Sequence, residues 1–152
     1  MAIKAIKAVF SSRFTKSRIW DICRTHGCTS FSLLGGMMAG IFNEPPKEND
    51  GENPVKTVIS AGTPAAIWQD FETRFQVKIL EWYGAVEGGF AYKPPGVGPV
   101  GSFGKPIPGM MQFKVVDEED NEVPTGEPGE LICRMMKGDT KVDYLDNTQA
   151  SE

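Results

Sequence analysis

Short apolar runs alternate with helical patterns through the first half of the chain, which predicts a parallel sheet with crossover helices. AIKAVF (5–10) reads as a strand. Between Thr15 and His26, Ile19, Ile22 and Cys23 fall on one helical face, and Gly27 stands where a helix C-cap favours glycine. CTSFSLL (28–34) predicts a buried strand and GGMMAGIFN (35–43) a short helix. EPPKENDGENP (44–54) is a polar loop whose Pro, Asn and Gly exclude either regular element. A second strand, VKTVISAG (55–62), runs into a Gly-Thr-Pro turn with Pro64 in the first turn of a helix. That helix, PAAIWQDFETRF (64–75), carries Ile67, Trp68, Phe71 and Phe75 as one stripe, and VKILEWYG (77–84) is the next strand.

Past Gly88 the texture changes. YKPPGVGPVGSFGKPIPG (92–109) crowds glycine and proline and cannot hold a helix. Beyond it MQFKVVD (111–117) and GELICRM (129–135) read as strands joined by the acidic turn DEEDNEVPTGEPG (117–129). The expected fold class is therefore α/β: residues 1–93 form a partial parallel sheet with crossover helices, and residues 94–152 a small antiparallel β unit.

Composition narrows the function classes. With 152 residues, 40% hydrophobic and 24% charged, the chain can bury a core without disulfides. Its net charge of -4 supplies no positive field for nucleic acid or anionic lipid. No run approaches a membrane span, and MAIKAIKAVF lacks the apolar core and cleavage site of a secretory signal. Cys23, Cys28 and Cys133 form an odd set without framework spacing, as expected of reduced thiols, so the expected location is the cytoplasm. Cys23, His26 and Cys28 offer too few ligands for a zinc site. GVGPVGSFGKP has the wrong glycine interval for a phosphate loop, with Pro106 where the hydroxyl should be. DEEDNE lacks the central glycine of a calcium loop and reads as a solvated turn.

The chemistry concentrates at two strand ends, SAGTP (60–64) and EWYGAVEGG (81–89). In open α/β sheets ligands sit outside the carboxyl ends of the strands, where glycine lets the backbone approach a flat ring. Tyr83 offers a π face and Glu87, four residues later, a carboxylate. A stacking ring, a glycine for access and an oxygen ligand for Mg²⁺ suit an ATP or adenylate site.

WYGAVEGG resembles the Y-G-x-T-E motif of the adenylate-forming superfamily, which contains acyl-CoA synthetases, peptide-synthetase adenylation domains and luciferases. SAGTP resembles that family's adenine turn. Thr29 and Phe31 match its T-x-F, and GSFGKPIPG (101–109), VVD (115–117) and GEL (129–131) follow in the family's order. The resemblance covers nearly the whole chain and looks closest to crotonobetaine/carnitine-type and medium-chain acyl-CoA ligases.

The resemblance implies the acetyl-CoA synthetase-like fold, with this chain an internal fragment of the large N-terminal domain. It implies that Ala61, Gly62 and Thr63 touch the adenine, that Tyr83 stacks on it, and that Glu87 is the catalytic carboxylate holding Mg²⁺. Gly35, Gly36 and Met37 would line the acyl pocket. At Gly84 short-chain acetate synthetases carry tryptophan, so glycine implies room for a larger acid. The complete enzyme would join ATP and a carboxylic acid as an acyl-adenylate with release of pyrophosphate, and the thiol of its co-substrate CoA would then displace AMP. Two departures stand out. Val86 replaces the family's threonine and cannot hydrogen-bond the α-phosphate, a loss of about 1.5–3 kcal/mol. The Ser/Thr/Gly-rich phosphate loop, the ribose-binding aspartate and the C-terminal lysine have no counterpart here, so the isolated chain is expected to be inactive and to self-associate or pair with a missing half. A truncated fragment without a role, or an adenine-nucleotide-binding interaction module, are the alternatives.

Overall fold

The computed structural model describes residues 6–136, 144–146 and 149. The chain forms two units: residues 1–81 with 94–102, and residues 82–93 with 103–152. It therefore passes between them after Glu81, Lys93 and Ser102. Most of the VDYLDNTQASE stretch (142–152) lies outside the described residues.

In the first unit α1 (Ile19–His26) leads to β1 (Ser30–Leu34), α2 (Gly35–Phe42) and β2 (Thr57–Ala61). A 3-10 turn (Ala65–Ile67), α3 (Trp68–Phe75) and β3 (Lys78–Gly84) follow, the last three residues of β3 belonging to the second unit. β1 and β2 are parallel, with Leu34 opposite Ala61, and β3 flanks β2 on its other side. The α3 stripe explains why this layer closes: Trp68, Phe71 and Phe75, spaced i, i+3, i+7, are buried against Val58, Val77 and Ile79. Trp20 of α1 stacks on Phe75 at 4.5 Å and meets Phe31 of β1 edge-on at 5.4 Å, which ties helix to sheet through aromatic contacts.

The loop between α2 and β2 has no regular structure, and its fixation comes from α3. Arg74 Nε donates to the buried Asp50 carboxylate at 2.7 Å, while its Nη atoms donate to the carbonyls of Phe42, Glu44 and Pro45. The guanidinium also lies over the Phe75 ring at 4.7 Å.

α1 ends in a Schellman cap. Gly27 is left-handed at φ 64°, its amide donates to Arg24 O, and the Cys28 amide donates to Cys23 O at 3.0 Å. That cap brings the side chains of its first and last residues together, and both are cysteines. Burial pushes the Cys23 thiol up to about 11, and the adjacent Cys28 sulfur adds to the rise. Because the folded-state value lies above a thiol's ordinary 9.0, the stabilisation is complete below pH 9 and is withdrawn as pH climbs through 11. The urea midpoint should thus fall over that range, with a smaller fall in Cys23→Ala; superimposable pH profiles for the two proteins would contradict the assignment.

The strand expected over AIKAVF does not form. Residues 6–10 are irregular, with Ile6 and Phe10 each 92% exposed. A strand exists only where a neighbour accepts its hydrogen bonds, and none of the described strands pairs with this segment. The expected helix start at Thr15 also moves, to Ile19.

In the second unit the end of β3 neighbours β4 (Phe90–Lys93), which pairs antiparallel with the two-residue β5 (Lys105–Pro106). β6 (Met111–Val116) and β7 (Glu130–Met135) form an antiparallel pair with Met111 opposite Met135. In the acidic turn between them Asp117 Oδ1 accepts the amides of Asn121 and Glu119 at 2.8 and 3.0 Å, which holds its carboxyl below the usual range. Among the described residues no helix is long and apolar enough to cross a membrane.

Candidate functional site

At the carboxyl end of β2 the chain turns at Gly62, which is exposed, left-handed at φ 74°, and faces open space where a side chain would stand. Only glycine takes this conformation cheaply and leaves the outer face bare. The inner face is held by Glu81 of β3. This carboxylate is 4% exposed; its Oε1 accepts the amides of Gly62 at 2.6 Å and Thr63 at 3.1 Å, and its Oε2 accepts the Thr63 hydroxyl at 2.6 Å. With its one proton on Glu81, Thr63 Oγ1 accepts from the fully buried Ser60 hydroxyl, 2.8 Å away. Thr63 itself is 7% exposed. Of the three residues expected at the adenine, Ala61 is partly exposed and Gly62 open, whereas the Thr63 side chain points into the protein.

The three residues expected at the acyl side separate in the same way. Gly35 is buried, and a Cβ there would overlap the carbonyl oxygen of Gly62, so the start of α2 and the turn after β2 touch backbone to backbone. Gly36 is exposed, with nothing within 4 Å of where its Cβ would be. Met37 is half-buried against the core.

In the second unit Tyr83 lies 4.9 Å from the Phe103 ring and edge-on to Phe113 at 6.1 Å, a fixed aromatic platform. Gly84 is exposed, and a Cβ there would meet the Trp82 ring at 3.0 Å. The turn that follows places Val86 and Glu87 in solvent, Val86 being fully exposed. The Glu87 carboxyl is held below its ordinary range by its own backbone amide first, and then by the Tyr144 hydroxyl, which donates to Oε1 at 3.0 Å. It is therefore an ionised, solvent-facing oxygen donor at neutral pH. Such a donor suits Mg²⁺, which takes one or two carboxylates and completes its shell with water and phosphate oxygens.

Glu81 was missed in the sequence, although a signal was there. An acidic residue between Leu80 and Trp82, in a strand leading to a glycine-rich end, occupies an inward position and must find donors.

The family profile described as "AMP-binding enzyme" matches residues 1–138. The chain is 32% identical to "Long-chain fatty acid transport protein 2" of Rattus norvegicus over 83% of its own length and 23% of that protein's. It is 30% identical to "Medium/long-chain-fatty-acid--CoA ligase FadD6" of Mycobacterium tuberculosis, over 82% of this chain and 22% of the relative. Among solved structures, a benzoate CoA ligase from Burkholderia xenovorans LB400 superposes with a TM-score of 0.76 at 26% identity, covering 92% of this chain and 29% of the other. The anthranilate CoA ligase AuaEII, solved with anthranoyl-AMP, gives 0.66 at 26% identity over 79% of this chain and 24% of its own. The chain thus spans less than a quarter of the length of these two curated relatives.

Proposed function

Because the chain belongs to the AMP-binding enzyme family, we propose that it supplies the adenine side of an enzyme that activates a carboxylic acid as its acyl-adenylate and passes the acyl group to coenzyme A. The observation that carries this reading is the Gly62 turn: bare on its outer face, clamped from within, and set at the carboxyl end of a parallel strand.

Each residue then has a physical task. The open backbone of Ala61 and Gly62 in the first unit forms a flat edge for a base; the Tyr83 ring in the second unit is an aromatic face of the kind on which a base stacks. Glu87 would hold Mg²⁺ through a carboxylate oxygen; when bound, the ion neutralises charge on the phosphates. Val86 offers no hydrogen bond to a phosphate. The names of the relatives at 30–32% identity favour a fatty acid over an aromatic one, and the glycine at position 84 leaves room for an acid larger than acetate. The 152 residues hold no counterpart of the phosphate loop, ribose aspartate or catalytic lysine that the resemblance calls for. By themselves they bind nucleotide without turning it over.

Calorimetric titration of the chain with AMP tests this. Binding is expected, and Tyr83→Ala should weaken it about tenfold, since stacking of a base on an aromatic ring contributes roughly 1–3 kcal/mol. No pyrophosphate should be released from ATP with a fatty acid and CoA. Absence of heat with millimolar AMP would defeat the binding reading, and measurable turnover would defeat the claim of inactivity.

A further inference from the structure

The Glu81 cluster does more than satisfy a buried charge. A carboxylate only accepts, and this one has gathered three donors from two consecutive residues of a single turn. Bonds from backbone amides to an ionised acceptor are short and strong, and the one from Gly62, at 2.6 Å, is the shortest amide bond in this cluster. The turn is also packed against the Gly35 backbone, so closely that a Cβ on Gly35 would overlap the Gly62 carbonyl. One contact is steric and the other electrostatic, and together they leave a glycine, the most permissive of residues, in one conformation.

We propose that Glu81 is a positioning residue for nucleotide binding: it acts through the Gly62–Thr63 turn, fixing the bare outer face against which the base is read. This rests on the functional reading above. The physical consequence is preorganisation. A free glycine turn would lose conformational entropy on binding, whereas a clamped one has lost it already during folding. With one oxygen shared by two amides, the other taken by Thr63, and the residue 4% exposed, the influence of Glu81 passes through the turn.

Three variants of the full chain test the proposal by amide hydrogen exchange and by titration with AMP and IMP. In Glu81→Leu, exchange at Gly62 and Thr63 should accelerate about tenfold or more, as loss of hydrogen bonds to a charged acceptor requires, while exchange at Phe71 in the core stays unchanged. Affinity for AMP and IMP should fall together by about tenfold. Glu81→Gln should rescue both readouts to within about threefold, because the amide oxygen still accepts the two N–H groups and its NH₂ can donate to Thr63 Oγ1. Thr63→Val removes one leg of the clamp and should give a smaller acceleration at the same two amides; it carries the test if Glu81→Leu does not fold. Unchanged exchange at Gly62 and Thr63 overturns the clamp. A loss confined to AMP, sparing IMP, overturns action through the turn, since it reports direct contact with the amino group. If neither nucleotide binds the parent chain, the functional reading fails while the exchange data still decide whether Glu81 holds the turn.

Discussion

Arg74→Ala is expected to destabilise the first unit by about 3–5 kcal/mol, the cost of stripping a buried carboxylate of its partner. Asp50 is 6% exposed and, among the described residues, would keep only the Lys47 amide, while the carbonyls of Phe42, Glu44 and Pro45 would lose their donor together. The side chain also covers the Phe75 ring, so truncation opens the edge of the core. Lysine should not substitute well, because one ammonium cannot reproduce a planar fork that reaches four acceptors in different directions. Urea unfolding reads the effect directly. Adding Asp50→Asn to Arg74→Ala should recover part of the loss by removing the stranded charge; a single Arg74→Ala variant within about 1 kcal/mol of the parent would remove this residue from the account of stability.

Gly35→Ala should be the second severe change, and for the opposite reason. It adds an atom where the carbonyl of Gly62 already lies. Neither neighbour can yield cheaply: Leu34 and Ala61, the residues just before, are locked in β1–β2 register, and the Gly62 amide is bonded to Glu81. Overpacking a core side chain costs typically about 1–3 kcal/mol, and a clash of backbone with backbone belongs in the tail beyond that range. Gly36→Ala, one residue along, is the control. Its added methyl meets nothing, so a change of no more than about 1 kcal/mol is expected. Equal unfolding midpoints for the two variants would show that the contact at Gly35 is not as tight as described.

What the sequence disclosed follows the reach of each interaction. The strands at 30–34, 57–61 and 78–84, the short helix at 35–42 and the α3 stripe were legible because period and caps are local properties. Gly27 announced its cap for the same reason. AIKAVF misled because its apolar content satisfies a strand pattern while pairing depends on a neighbour. β4 and β5 were hidden in a glycine- and proline-rich stretch, where only pairing across about a dozen residues defines them. Arg74 was invisible because three of its four acceptors are main-chain oxygens some thirty residues away, and a carbonyl carries no sequence signature. At the site, glycine, tyrosine and glutamate were read from a motif. The inward turn of Thr63 and the clamp by Glu81 needed coordinates, because hydroxyl and carboxylate could each have faced either way.

The contact between the start of α2 and the turn after β2 bears on how such a protein diversifies. With no side chain separating them, the two segments must drift as a single inherited piece. Position 36, which looks outward, is where natural variation can accumulate without disturbing its partner.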